Sequence, residues 1–202
     1  MRPSKAEIRR LKLEKLLPNL RFVDIEACNG GPDAWPVEIG WSRIQMPEEP
    51  EGQIGFDTTS SMIRPASQWD ESKWSRHAQD VHGIARSTLV NAPRAYEVAA
   101  QVLEALNRPE LVIVSDSPRN DQPWMDTLLE TVCAKGWIQI TSPWQALNGL
   151  ATPEEIAATK AWLRENKGPH RAGEDAERLA RGVMESIVRP ASIEPTPGPT
   201  FP

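Results

Sequence analysis

The sequence predicts an α/β protein in which a mixed β-sheet carries helices on its faces. Three observations point there. Strand-like runs at residues 20–25, 37–44 and 59–63 follow one another through short connections, the pattern of an antiparallel meander. From about residue 74 helical and strand-like periods alternate, and LVIV at 111–114 is apolar at every position, as in a strand covered on both faces. At 202 residues the chain fits one well-buried domain with short extensions rather than two full domains.

Each element has a local reason. Residues 4–17 begin with Ser4 and Glu7 at capping-box spacing, carry Ile8, Leu11, Leu16 and Leu17, and stop at Pro18, which predicts a short helix. Its basic residues suit either a nucleic-acid arm or a solvated helix docked by its leucines. Residues 20–25 (LRFVDI) form the first strand, expected at the centre of the sheet, and CNGGPDAW is a glycine-rich loop. VEIGWSRI at 37–44 and TSSMI at 59–63 are the next strands, followed by helical patterns at 74–81 and 94–106. After LVIV come a helix at 121–134, a last strand GWIQI at 136–140, and helices at 153–165 and 172–187. Beyond Arg189 the run PASIEPTPGPTFP has too much proline and too few apolar residues to fold, and is expected to be disordered. The chain therefore divides into a basic helical extension (1–18), a folded domain (19–188) and a proline-rich tail (189–202).

Composition narrows the function classes. No run is long and apolar enough to cross a bilayer, and the basic start lacks the apolar stretch and cleavage site of a signal peptide, so a cytoplasmic protein is expected. Cys28 and Cys133 have no partner spacing for zinc or a redox pair and read as free thiols. The net charge of -5 argues against coating nucleic acid by charge alone, but it allows phosphate contacts bridged by metal. Eight tryptophans suit a core, with a few available to stack on bases or pack a partner.

The chemistry begins with VDIEA. On a strand Asp24 and Glu26 project from one face while Val23 and Ile25 point the other way, so the two carboxylates are neighbours. Like charges that close raise each other's pKa unless a cation lies between them, and a divalent ion is the common remedy. Alone, the pair reads first as a solvated strand face, and other acids are needed before a metal site is indicated. Two further places supply acids. LVIV runs into SDSPRNDQPWMDTLL, where Asp121 stands near a helix start as either a capping residue or a ligand. NKGPHRAGEDAERLARGV places His170 in a loop and Asp175 in the first turn of the next helix. Five apart on one helix these two would diverge; at a loop-to-helix junction both can face one cleft.

In that order, VDIEA, the Asp after an apolar strand, and HRAGEDA resemble the DEDDh family of 3'-5' exonucleases, and WSRHAQDVHGIARSTL resembles the family's His-Gly-Ile segment. The resemblance covers residues 20–188 and implies a ribonuclease H-like fold, with three antiparallel strands followed by parallel ones. It also implies hydrolysis of phosphodiester bonds from the 3' end of single-stranded RNA or DNA. Asp24, Glu26, Asp121 and Asp175 would ligate two divalent cations, Mg²⁺ or Mn²⁺, and His170 would act as general base. Many relatives have His-Asn-Ala before the second-motif Asp where this chain has Asp116-Ser117-Pro118, so Asp116 rivals Asp121 as a ligand. Ala27, Trp35, His82 and Arg171 are the candidate substrate contacts, with Trp35 able to stack on a terminal base, His82 to approach a phosphate and Arg171 to meet the backbone, although Trp35 and His82 read first as core or structural packing. Relatives are often homodimers. The alternative is a catalytically silent nucleic-acid-binding module with the same fold.

Overall fold

The computed structural model describes residues 3–47 and 52–189. The proline-rich tail from residue 190 onward lies outside the described residues. Helix α1 (Lys5–Leu16) is capped by the Ser4 hydroxyl, which accepts the Glu7 N–H. Leu13 and Leu17 turn inward while Ile8 and Leu11 face out, so α1 docks by a different edge than its first leucine suggests. Arg9 fastens it to the body through the Leu150 carbonyl and the Glu155 carboxylate.

Strands β1 (Leu20–Ala27), β2 (Pro36–Gln45) and β3 (Gly55–Met62) form the expected antiparallel meander. Strands β4 (Val112–Val114) and β5 (Ile140–Thr141) then pair in parallel, giving the order β3-β2-β1-β4-β5 with β1 central. Helices α2 (Arg76–His82) and α3 (Ala95–Leu106) precede β4. Helices α4 (Pro118–Glu130), α5 (Pro143–Ala146), α6 (Pro153–Glu165) and α7 (Ala172–Val183) complete the fold, α7 continuing as a wider turn over Met184–Val188.

The last strand is shorter than its sequence suggests. Gly136 adopts φ +79°, and α4 side chains take the hydrogen bonds a strand would use. Gln122 donates to the Ile138 carbonyl and accepts the Ile140 N–H, while Asp126 accepts the Gly136 N–H.

The sheet separates two cores. Val23 and Ile25 of β1 face a cluster with Val98 and Val102 of α3 and Leu128 and Leu129 of α4. Leu20 and Phe22 face the other cluster, with Leu179, Val183 and Ile187 of the last helix and Leu13 and Leu17 from the N-terminal segment. By alternation Asp24 and Glu26 continue the Leu20–Phe22 face, beneath the start of α7. Helix α7 lies close there because β2 has Gly40 opposite Asp24. A Cβ at Gly40 would sit 2.3 Å from the Gly173 nitrogen and 2.4 Å from the Ala172 carbonyl carbon.

Candidate metal centre

Asp24, Glu26, Asp116, Asp121, His170 and Asp175 line one open cleft of about 520 Å³, together with Asn120, Trp124, Lys167 and Arg178. Each acid reaches the cleft by a separate route. β1 supplies Asp24 and Glu26 near its C-terminal end, where the chain leaves the sheet. Pro118 at the first position of α4 starts that helix three residues earlier than expected, which turns Asp121 inward within the first turn and leaves it 1% exposed. Asp175 lies in the first turn of α7 and accepts the Arg171 N–H at 3.1 Å.

The loop before α7 is shaped for this purpose. His170 holds a left-handed φ of +55°, an uncommon conformation for a residue with a side chain. Gly168 leaves room for the Asp175 carboxylate: a Cβ there would lie 1.5 Å from Asp175 Oδ1. One side-chain ligand atom each from Glu26, His170 and Asp175 falls within a 4.8 Å cluster.

The cleft is short of positive charge. Burial first, then the charges of Asp121, Glu26, Asp116 and Asp175, push Asp24 well above the usual carboxylate range. Glu26 rises to about 7 through burial, then Asp175 and Glu38, with Arg171 opposing. Asp121 also rises to about 7, chiefly through burial, although the Ser115 hydroxyl that donates to it favours its charged form. Asp116 is raised by burial against the pull of Arg178. Carboxylates that destabilise one another around one point, with an imidazole beside them, form the oxygen-rich donor set that Mg²⁺ or Mn²⁺ prefers. The residues fit a divalent ion.

Asp116 and Asp121 both line the cleft, in different states. Asp121 is buried and tied to Ser115, whereas Asp116 is the more open of the two and lies 3.4 Å from Arg178 Nη2.

The four candidate substrate contacts meet other fates. Trp35 is 1% exposed, stacked on Trp69 at 5.9 Å between centroids, with its indole N–H donated to the Asp70 carbonyl, so no ring face is free for a base. The tryptophan at the cleft is Trp124, whose indole N–H donates to the Gly31 carbonyl at 2.8 Å and fixes the glycine-rich loop. His82 is buried at the end of α2, its Nδ1 accepting the Ile84 N–H, and it does not line the cleft. Ala27 is buried as well. Arg171 is engaged in a two-point contact with Glu38, at 3.0 Å through Nε and 2.6 Å through Nη2.

Glu38, Ser115 and Arg178 were not legible as site residues. Glu38 stands opposite Glu26 in the β1–β2 register and also accepts the Ala172 N–H at the start of α7. Its signal in the sequence is only that of an ordinary polar strand position. Arg178 carried a fainter one, a cation three residues after Asp175 on a helix.

Fold and cleft together define an α/β protein of ribonuclease H-like architecture with a cluster of acids and a histidine at the end of its central strand that could hold a metal ion. No family model matches the chain, and no curated protein matches it. Solved structures do. Escherichia coli exonuclease I in complex with a dA16 oligonucleotide superposes with a TM-score of 0.57 at 16% identity, over 86% of this chain and 42% of that one. Exonuclease I from Methylocaldum szegediense gives 0.55 at 15% identity, over 86% of this chain and 42% of that one. At such identities the likeness is one of fold, and the chain spans about two fifths of the length of those proteins.

Proposed function

We propose that the protein is a metal-dependent 3'-5' exonuclease of the DEDDh type that hydrolyses single-stranded RNA or DNA. The observation that carries this reading is the convergence of Asp24, Glu26, Asp121 and Asp175 with His170 on one cleft from three separate chain segments. The solved structures of the same fold include exonuclease I bound to single-stranded DNA, which supports a strand end as the occupant.

Asp24, Glu26, Asp121 and Asp175 would hold two divalent cations, which when bound neutralise the phosphate and lower the cost of forming a nucleophile from water. Asp24 and Glu26, being neighbours on one strand face, would hold the cation that draws the phosphate into the cleft. His170 stands on an exposed loop at the mouth of the cleft, beside Glu26 and Asp175, where it can take the proton from the attacking water and pass it to solvent. Lys167 offers a cation to the strand's backbone at the same rim. Trp124, at the wall of the cleft, holds the glycine-rich loop after β1 in place through the Gly31 carbonyl.

Matched single-stranded RNA, single-stranded DNA and duplex substrates, digested side by side with Mg²⁺ or Mn²⁺, test the reading. Nucleoside 5'-monophosphates released from the 3' ends of single strands are expected. Strand binding without turnover under both metals would instead identify a silent nucleic-acid-binding module.

A further inference from the structure

Arg178 is a cation built into a site that calls for metal cations. Its Nε donates to Asp175 Oδ1 at 2.8 Å and its Nη2 approaches Asp116 Oδ2 at 3.4 Å. Nη1 donates to the Leu163 carbonyl at 3.2 Å and reaches the Asn166 carbonyl at 3.5 Å, at the C-terminal end of α6. These carbonyls tether the guanidinium independently of the carboxylates, at the helix end where a positive charge is favoured. Lys167 and Arg178 are the cationic side chains lining the cleft apart from His170, and Arg178 is the one ion-paired to its acids among the described residues.

The pairing falls on the carboxylate a metal would need. Asp175 belongs to the Glu26, His170 and Asp175 group, yet its Oδ1 takes Arg178 and its Oδ2 takes the Arg171 N–H. A divalent ion that binds Asp175 must therefore share Oδ1 with the guanidinium or Oδ2 with a backbone N–H, and on either oxygen it meets a carboxylate already paired with Arg178.

We propose that Arg178 is an internal competitor for the divalent cation: it neutralises Asp175 and Asp116 in the metal-free protein and thereby lowers the site's affinity for metal. This deepens the metal-centre reading and rests on it. The acids are held together without metal because the guanidinium offsets part of their repulsion. Filling the site requires the Arg178–Asp175 bond to loosen, while the α6 carbonyls keep the side chain nearby. The metal concentration at which the site fills is set by that exchange.

Calorimetric titration of Mn²⁺ into the full chain, its Arg178→Gln variant and its Arg178→Lys variant tests this. Removing the charge is expected to tighten Mn²⁺ binding by about tenfold, whereas Arg178→Lys, which keeps the charge, stays close to the wild type. A folded Arg178→Gln protein with equal or weaker affinity would overturn the proposal while leaving the metal centre intact. If neither wild type nor Arg178→Gln takes up Mn²⁺, the metal-centre reading falls together with it. Should Arg178→Gln not fold, the wild type still decides: the Arg178 Nε–H resonance, assigned against the Arg178→Lys spectrum, is expected to shift as Mg²⁺ is added, and an unmoved resonance at saturating Mg²⁺ would overturn the proposal.

Discussion

Glu26 and Asp121 show how the site constrains single residues. Glu26 moves from an ordinary 4.5 to about 7 and Asp121 from 3.8 to about 7, so between those values the folded chain holds protons that the unfolded chain has lost. Stability is then undiminished below pH 4, falls as pH climbs toward 7, and stays lower above it. The metal-free protein is expected to melt at lower temperature near pH 8 than near pH 5, and Mn²⁺ to raise the melting temperature far more near pH 8. A metal-free melting temperature that rises steadily over that range would contradict this. The Glu38–Arg171 pair makes a second residue-level test. Its carboxylate is 3% exposed and its guanidinium 41% exposed, so the two ends are unequal. Arg171→Ala strands a buried charge and should cost about 3 kcal/mol in urea unfolding. Glu38→Gln, which leaves a cation that water can reach, should cost about 1 kcal/mol. Equal losses would contradict the asymmetry. At this scale the sequence reveals acids by their spacing, as with Asp24 and Glu26, but it does not reveal which polar residue faces them. Glu38 became visible only through the strand register.

Among the elements, α7 is the one that assembles the site, and two glycines control it. Gly40 lets its backbone lie on β2, and a Cβ there would meet backbone atoms that cannot swing aside. Gly40→Ala is expected to destabilise the protein by about 2 kcal/mol or more, read by denaturant melts. Gly168→Ala acts differently, because the added methyl would meet side chains rather than backbone: the Asp175 carboxylate first, and Arg178 Nε at 2.9 Å. Mn²⁺ affinity should fall about tenfold or more with little change in melting temperature, and unchanged affinity would contradict the placement of Asp175 in the metal centre. Helix α6 matched its expected bounds because Thr152 and Glu155 form a capping box and Pro153 takes the first position. The strand expected at 136–140 is reduced to Ile140–Thr141 because α4 side chains take up the backbone groups before it. For Trp35 the sequence leaves core packing and base stacking both open, since a loop tryptophan and a core tryptophan look alike; Trp69 and Trp74 close over it and make it a core residue.

At the scale of the whole molecule, the sheet order explains why acids distant in sequence meet. β1 is central, antiparallel to β2 and parallel to β4, so the C-terminal ends of β1 and β4 emerge on the same side. The turn after β4 delivers Asp116 and Asp121 there, and α7 crosses the same face with Asp175. This much could be read ahead of the structure, since the meander and the later alternation of helix and strand follow from apolar periodicity. Among the described residues no helix is long and apolar enough to cross a membrane. The central claim is that this convergence is a metal centre for removing nucleotides from a 3' end. It is tested most directly by incubating a 5'-labelled single-stranded oligonucleotide with the protein and Mn²⁺ or Mg²⁺, beside an Asp24→Asn variant of matched thermal stability. A ladder of progressively shorter labelled products from the wild type, lost in the variant and in excess chelator, is the predicted result. Full-length oligonucleotide persisting with both metals, or equal shortening by the variant, would contradict it.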